Sequence, residues 1–117
     1  MDAELLKKRT KEFALRVLRL LKSIPHGRIE DVLVRQLAKA ATSVGANYRA
    51  ACRARSNADF VSKITIVEEE ADETQYWLEL LKDLGLANNT EVAALMQEAS
   101  ELTAIFTASG KTAKHNK

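Results

Sequence analysis

Residues 60–81 of the chain read FVSKITIVEEEADETQYWLELL, and this stretch decides the fold. Its apolar or small side chains recur at alternating intervals of four and three residues: Phe60, Ile64, Val67, Ala71, Thr74, Leu78 and Leu81. A repeat of this kind places all of them on one face of an α-helix, as in the seam of a helical bundle. The stretch therefore predicts a long helix that packs against other helices through this face.

Three more helices are predicted around this stretch. The central helix begins at Ser56, where Ser56 and Asp59 have the spacing of a capping box, and it ends at Gly85. Hydrophobic periodicity places a first helix at residues 2–23, a second at residues 28–55 and a fourth from residues 88–90 onward. Pro25 separates the first two helices, because proline disfavours a helical residue before it.

Short connections make consecutive helices antiparallel neighbours. The predicted fold is therefore an all-α, antiparallel up-down four-helix bundle that forms a single domain at residues 1–108. Residues 109–117 contain Gly110 and three lysines, and they are predicted to form a flexible basic C-terminal tail.

Composition points to a globular protein without a membrane segment. Apolar residues make up 46% of the chain and charged residues 29%, which suits a packed domain. The N-terminus is polar, and no apolar run approaches the ~18 residues of a membrane span. Cys52 is the only cysteine, so no disulfide can form within the chain. These features predict a cytoplasmic protein with no membrane partner.

Charge is distributed unevenly along the 117 residues, although the net charge is only +2. Residues 1–55 carry a net charge of +8, residues 56–108 carry −9, and the last nine residues carry +3. This segregation predicts either an acidic partner for the basic half or an interface in which the two halves meet.

Basic side chains predict a nucleic-acid-binding surface on the first two helices. On the second helix, Arg35 with Lys39 and Arg49 with Arg53 are i,i+4 pairs that share a face. Cations on a rigid helix can neutralise phosphates and release counterions. The complete predicted set is Lys7, Lys8, Lys11, Arg28, Arg35, Lys39, Arg49, Arg53 and Arg55. The alternative is a solvated face, or a face that forms salt bridges with the acidic third helix.

Aromatic residues are scarce near this basic surface, where Tyr48 is the only ring. Contacts to the phosphate backbone that tolerate any sequence are therefore expected, rather than base stacking.

The acidic residues of the third helix raise the question of a metal site. Glu70 and Glu73 are neighbours on the helix surface, but metal-binding bundles combine such glutamates with histidines three residues away. The two histidines, His26 and His115, fall in a turn and in the predicted tail. No metal and no cofactor are therefore predicted.

Asn47, Glu70 and Glu73 are instead expected to form a polar network or part of a subunit interface. A half-buried carboxylate requires a partner, and the natural candidates are Arg49, Arg53 and Arg55, near the predicted turn between the second and third helices. These pairs are expected within one chain or, for some of them, between subunits. No catalytic residues are predicted, because the chain offers no nucleophile–base pair and no glycine-rich phosphate loop.

Residues 36–86 read QLAKAATSVGANYRAACRARSNADFVSKITIVEEEADETQYWLELLKDLGL, and they resemble the four-helix-bundle proteins encoded in intervening sequences of 23S rRNA genes. Many members of that family read Asn-x-x-Glu-Gly where this chain has Asn47 followed by Tyr-Arg-Ala-Ala, so a role tied to Glu-Gly is not carried over. The resemblance rests on these residues: Phe13, Leu20, Pro25, Gln36, Leu37, Ser43, Val44, Asn47, Phe60, Ile64 and Glu73.

The resemblance implies a bundle that assembles into a ring, usually a homopentamer, with no established enzymatic activity. A related group comprises the nucleic-acid-binding accessory subunits of reverse transcriptases in diversity-generating retroelements. The expected function is that of a non-enzymatic, ring-forming bundle that binds RNA or DNA, with a reverse transcriptase or another nucleoprotein as partner. The alternative function is a self-assembly or protein-interaction scaffold without a nucleic-acid role.

Overall fold

The structure is a computed structural model that describes residues 2–116. It contains four helices: α1 (Ala3–Leu21), α2 (Arg28–Cys52), α3 (Asn57–Leu84) and α4 (Asn89–His115). Each helix packs mainly on its neighbours in sequence, and the contact between α1 and α4 that closes the bundle is the smallest. The predicted all-α up-down four-helix bundle is therefore confirmed.

Side-chain caps define the starts of three helices. The carboxylate of Asp2 accepts a hydrogen bond from the Glu4 amide, and the hydroxyl of Ser56 accepts one from the Asp59 amide. Asn88 caps α4 in the same way, through the amide of Glu91. These bonds satisfy amide groups that have no partner within the helix. Gly85 ends α3 at a φ of 64°, in the left-handed region that favours glycine.

The heptad positions of α3 form the centre of the core. Ile64, Val67, Ala71, Leu78 and Leu81 are buried, whereas Phe60, near the end of the bundle, is only partly buried. Thr74 is also buried, and its hydroxyl donates to the Glu70 carbonyl at 2.7 Å. That bond removes the cost of burying an unpaired polar group. The other helices contribute large buried side chains, including Phe13, Leu37, Leu95, Leu102 and Phe106.

Two large apolar side chains, Leu5 of α1 and Ile29 of α2, lie on the surface rather than in the core. Leu5 is 53% exposed because Leu6, turned by about 100° around the helix, occupies the core position. Ile29 is 67% exposed because it lies in the first turn of α2, one turn before the buried stripe begins at Leu33.

The fourth helix does not stop at residue 108, the predicted end of the domain. It continues to His115, with Gly110 and Ala113 buried. The side-chain amide of Asn57 donates to the Ala113 carbonyl at 2.7 Å, so the start of α3 holds the last turns of α4. Lys114 and His115 lie at the helix C-terminus, where positive charge is favourable. Lys117 lies outside the described residues.

Gly45 marks a close approach between α1 and α2. A glycine inside a helix costs about 1 kcal/mol relative to alanine. A Cβ atom at this position would lie 3.2 Å from the hydroxyl oxygen of Thr10, which is tighter than an ordinary contact. The glycine therefore lets the two helices pack closely at the height of Thr10.

Candidate nucleic-acid interface

A single exposed row runs along the whole outer side of α2. Its positions follow the same four-three spacing as the core but point to solvent: residues 28, 32, 35, 39, 42, 46, 49 and 53. Five of the eight are basic, and we call Arg28, Arg35, Lys39, Arg49 and Arg53 the α2 basic face. Because α2 is a continuous helix packed on both α1 and α3, the backbone positions of these five residues are held in one row along the helix.

The cations of the α2 basic face form no ion pair within residues 2–116. Among residues 2–116, no carboxylate oxygen lies within 4 Å of any of their side-chain nitrogens. The predicted salt bridges from Arg49 and Arg53 to the acidic residues of α3 are therefore absent from this part of the chain. The face is left with positive charge directed into solvent.

The three predicted lysines of α1 divide between two sides of that helix. Lys7 and Lys11 line a groove between α1 and α2, together with Arg49. Lys8 instead borders the groove between α1 and α4. Lys7 forms an ion pair with Glu4 at 3.0 Å, but the Glu4 side chain is 80% exposed, so this contact is weak.

Arg55 lies in the turn between α2 and α3 rather than on the exposed row. Its backbone amide donates to the carboxylate of Asp59 at 3.2 Å. The same carboxylate accepts from Lys63, and these bonds, that of Lys63 first, hold the pKa of Asp59 below its usual range. Arg55 therefore contributes to the turn through its backbone, and its side chain adds positive charge at one end of the α2 basic face.

Two arginines of α1 that were not predicted as site residues connect α1 to α4. Arg9 binds Glu98 through two bonds of 2.7 Å and Glu101 through one of 2.9 Å, and Arg16 binds Glu91 at 2.9 Å. The bond to Glu98 is the main cause that raises the pKa of Arg9. Arg16 follows Arg9 by seven residues, and Glu91 precedes Glu98 by seven residues, as expected for two antiparallel helices. This matching spacing is the sequence signal that could have revealed both ion pairs.

The predicted polar network appears in a different form from the one expected. Burial and the neighbouring Glu73 carboxylate raise the pKa of Glu70, while Lys39 and Ser43 act in the opposite direction. Glu73 accepts a hydrogen bond from the Trp77 indole at 3.3 Å. Within residues 2–116, neither Glu70 nor Glu73 forms an ion pair with Arg49, Arg53 or Arg55, so pairing of these residues between subunits stays a prediction.

Asn47 lies partly buried on α2, on the side turned from the exposed row. Its amide donates to the Ser43 carbonyl of its own helix at 2.8 Å. Since this bond stays within α2, it does not fix one helix against another.

The described residues offer no metal site. Within residues 2–116, no group of three or more histidine, cysteine, aspartate or glutamate side chains could hold an ion. Cys52 is a free, partly buried thiol beside Tyr48, and burial of the Tyr48 ring raises the pKa of its hydroxyl.

Comparison with known proteins places the chain in a family. The model of the 23S rRNA-intervening sequence protein family matches residues 4–108, which is most of the chain. The chain belongs to this family. The resemblance stated from the sequence is thereby confirmed.

A solved structure supports membership of the 23S rRNA-intervening sequence protein family. It is a protein with unknown function from the S23 ribosomal protein family of Bacteroides thetaiotaomicron, 34% identical in sequence, with a TM-score of 0.82. The alignment covers 90% of this chain and 97% of that one. No curated protein matches the chain. Within residues 2–116, no helix has both the length and the apolar character needed to cross a bilayer.

Proposed function

We propose that the chain is a non-catalytic, nucleic-acid-binding protein that holds the phosphate backbone of RNA or DNA on the α2 basic face. The observation that carries the proposal is the row of five exposed cations with no carboxylate partner among residues 2–116. At 1.5 Å per residue, the row from Arg28 to Arg53 is about 37 Å long, or roughly 11 base pairs of B-form DNA.

The side chains between these cations favour contacts to the backbone over contacts to bases. The neutral members of the row are Val32, Thr42 and Ala46, and none is aromatic. The hydroxyl of Thr42 already donates to the Ala38 carbonyl at 2.7 Å. Apart from its cations, the row has no free hydrogen-bonding group to read a base edge, and single-strand binding usually needs stacking rings, which the row lacks. The interaction is therefore expected to be electrostatic and independent of sequence.

Charge reversal on the α2 basic face tests the proposal. Arg35→Glu combined with Lys39→Glu should weaken binding to a labelled 20-base-pair duplex at least ten-fold, measured by fluorescence anisotropy at low salt. The matched control is Lys82→Glu combined with Lys111→Glu, which changes the net charge equally at exposed positions of α3 and α4. If both variants weakened binding equally, the loss would come from net charge alone, and the proposal that the α2 basic face binds the duplex would be contradicted.

We further propose that the protein assembles into a homopentameric ring, as the family resemblance implies. A ring needs two different faces of the subunit to meet. The chain supports such an interface, because the exposed side of α3 carries Glu69, Asp72, Glu73, Glu79 and Asp83. The exposed apolar residues Ile66 and Tyr76 lie on the same helix, at 42% and 54% exposure.

Analytical ultracentrifugation tests the ring. The wild-type protein should sediment as a pentamer of the 13.0 kDa chain. Glu73→Arg places a cation in the acidic surface of α3 and should shift the protein towards smaller species. A sedimentation profile that is unchanged by this substitution would contradict the proposed use of this surface.

The expected cellular setting follows from the same proposal. We propose a cytoplasmic location, supported by the lone cysteine, and a reverse transcriptase or another nucleoprotein as the protein partner.

The competing function is a scaffold in which charge serves only self-assembly. Binding to neither duplex nor single-stranded RNA at low salt, with the ring intact, would favour the scaffold.

A further inference from the structure

The groove between α1 and α2 brings together cations from both helices. It has a volume of about 250 Å³ and opens on the same side of the bundle as the α2 basic face. Lys7 and Lys11 border it from α1, and Arg49 borders it from α2. We call this feature the α1–α2 groove.

The floor of the α1–α2 groove is made of small side chains. Ala14 of α1 and Gly45 and Ala46 of α2 leave room between the two helices. Two threonines complete the lining, and their hydroxyls are already used. Thr10 donates to the Leu6 carbonyl at 2.8 Å, and Thr42 donates to the Ala38 carbonyl at 2.7 Å.

The groove can therefore recognise a ligand only through its charged rim. Among the described residues, Lys11 and Arg49 lie more than 4 Å from any carboxylate oxygen. The Lys7 ammonium reaches only the highly exposed Glu4, so an anion can compete for it. A small anion on a flexible chain, with no donor of its own, fits a groove lined by three cationic side chains and a floor of small apolar residues. A phosphodiester group has these properties.

We propose that one phosphate of the bound polynucleotide backbone sits in the α1–α2 groove, between Lys7 and Lys11 on one side and Arg49 on the other. The inference rests on the proposed nucleic-acid-binding function and defines the path of the strand. Ala46 and Arg49 belong both to the α2 basic row and to the groove, so the backbone that follows this row passes the groove there, and cations of both helices share the charge of that phosphate.

The amide resonances of the glycines report directly whether a phosphate occupies the α1–α2 groove. In ¹⁵N-labelled wild-type protein titrated with a 12-base-pair duplex, the Gly45 amide resonance should shift, because Gly45 forms the groove floor. Gly85 ends α3 and Gly110 is buried near the end of α4, so their resonances should stay in place.

Ala46→Leu fills the groove at an exposed helix position without removing charge. We expect five- to ten-fold weaker duplex binding and a log–log salt slope reduced by about one, the value for one lost phosphate contact. The matched control is Ala104→Leu, which makes the same change at an exposed position of α4 and should leave affinity unchanged.

The outcomes separate this inference from the proposed function. If Arg35→Glu with Lys39→Glu weakens binding while Ala46→Leu has no effect and the Gly45 resonance does not move, the groove holds no phosphate and the α2 basic face still binds. If the wild-type protein binds no duplex at all, both proposals fail. A shift of Gly45 together with weaker binding by Ala46→Leu supports both.

Discussion

Arg9 shows how one side chain can hold a helix in place. Its guanidinium reaches two carboxylates of α4, and with Glu98 it forms a bidentate pair, the strongest geometry for an ion pair. The Glu98 side chain is only 18% exposed, so it depends on this partner. Because the interface of α1 with α4 is the smallest in the bundle, Arg9 carries a large share of it.

Arg9→Met should therefore destabilise the protein by about 1–3 kcal/mol, less than for a fully buried pair because the Arg9 side chain keeps some exposure. The lost stability should appear as a lower urea midpoint. The control is Arg19→Met, which removes only an exposed contact to Glu12 at 3.5 Å and should cost less than about 0.5 kcal/mol. Equal effects of the two substitutions would contradict the role given to Arg9.

Residue periodicity predicted the core but not the partners of the charges. The four-three spacing in α3 placed Ile64, Val67 and Leu78 correctly, because the helical repeat alone decides which side chains share a face. Ion pairs depend on which helices become neighbours and at what height. Arg49 was therefore assigned to the acids of α3, whereas the structure pairs Arg9 of α1 with α4.

Among the helices, the contact between α2 and α3 is destabilised by the partly buried, ionised carboxylate of Glu70. Burial and Glu73 raise the pKa of Glu70, with Lys39 only partly opposing them. A carboxyl group whose pKa is raised on folding favours the folded state when it is protonated. Its favourable contribution is complete below the usual glutamate pKa of about 4.3 and is lost as the pH rises through the raised value.

Glu70→Gln should therefore make the protein more stable than wild type at pH 7, and the difference should vanish near pH 3. Urea denaturation at both pH values measures this. The control is Glu79→Gln at an exposed position of the same helix, which should change stability by less than about 0.5 kcal/mol. A Glu70→Gln protein that is less stable than wild type at pH 7 would show that Lys39 outweighs burial.

Helix ends could be predicted from the sequence only where local residues determine them. Caps such as Ser56 and Gly85 are local, so they were predicted at the correct residues. The last two turns of α4 were predicted as a tail because Gly110 and the lysines suggest a helix end. Their helical state depends on Asn57, which is 56 residues away in sequence and bonds the Ala113 carbonyl. No local pattern contains that contact.

At the scale of the whole molecule, charge is sorted by helix in a body of 48 × 23 × 21 Å. The exposed row of α2 is basic and the exposed side of α3 is acidic, although the net charge is only +2. This separation of charge supports both the proposed ring and the proposed nucleic-acid binding, since the acidic side can meet another subunit while the basic row faces a polynucleotide. The groove beside Arg49 extends that row to α1.

Binding of a phosphate backbone to the α2 basic face should appear in the salt dependence of duplex binding by the wild-type protein. Affinity for a 20-base-pair duplex, measured from 50 to 300 mM KCl, should fall linearly on a log–log plot with a slope of about −4.5, since the five cations of the α2 basic face displace counterions at about 0.9 per contacted phosphate. Absence of binding at 50 mM KCl, or an affinity that does not change with salt, would contradict the claim that this face holds a phosphate backbone.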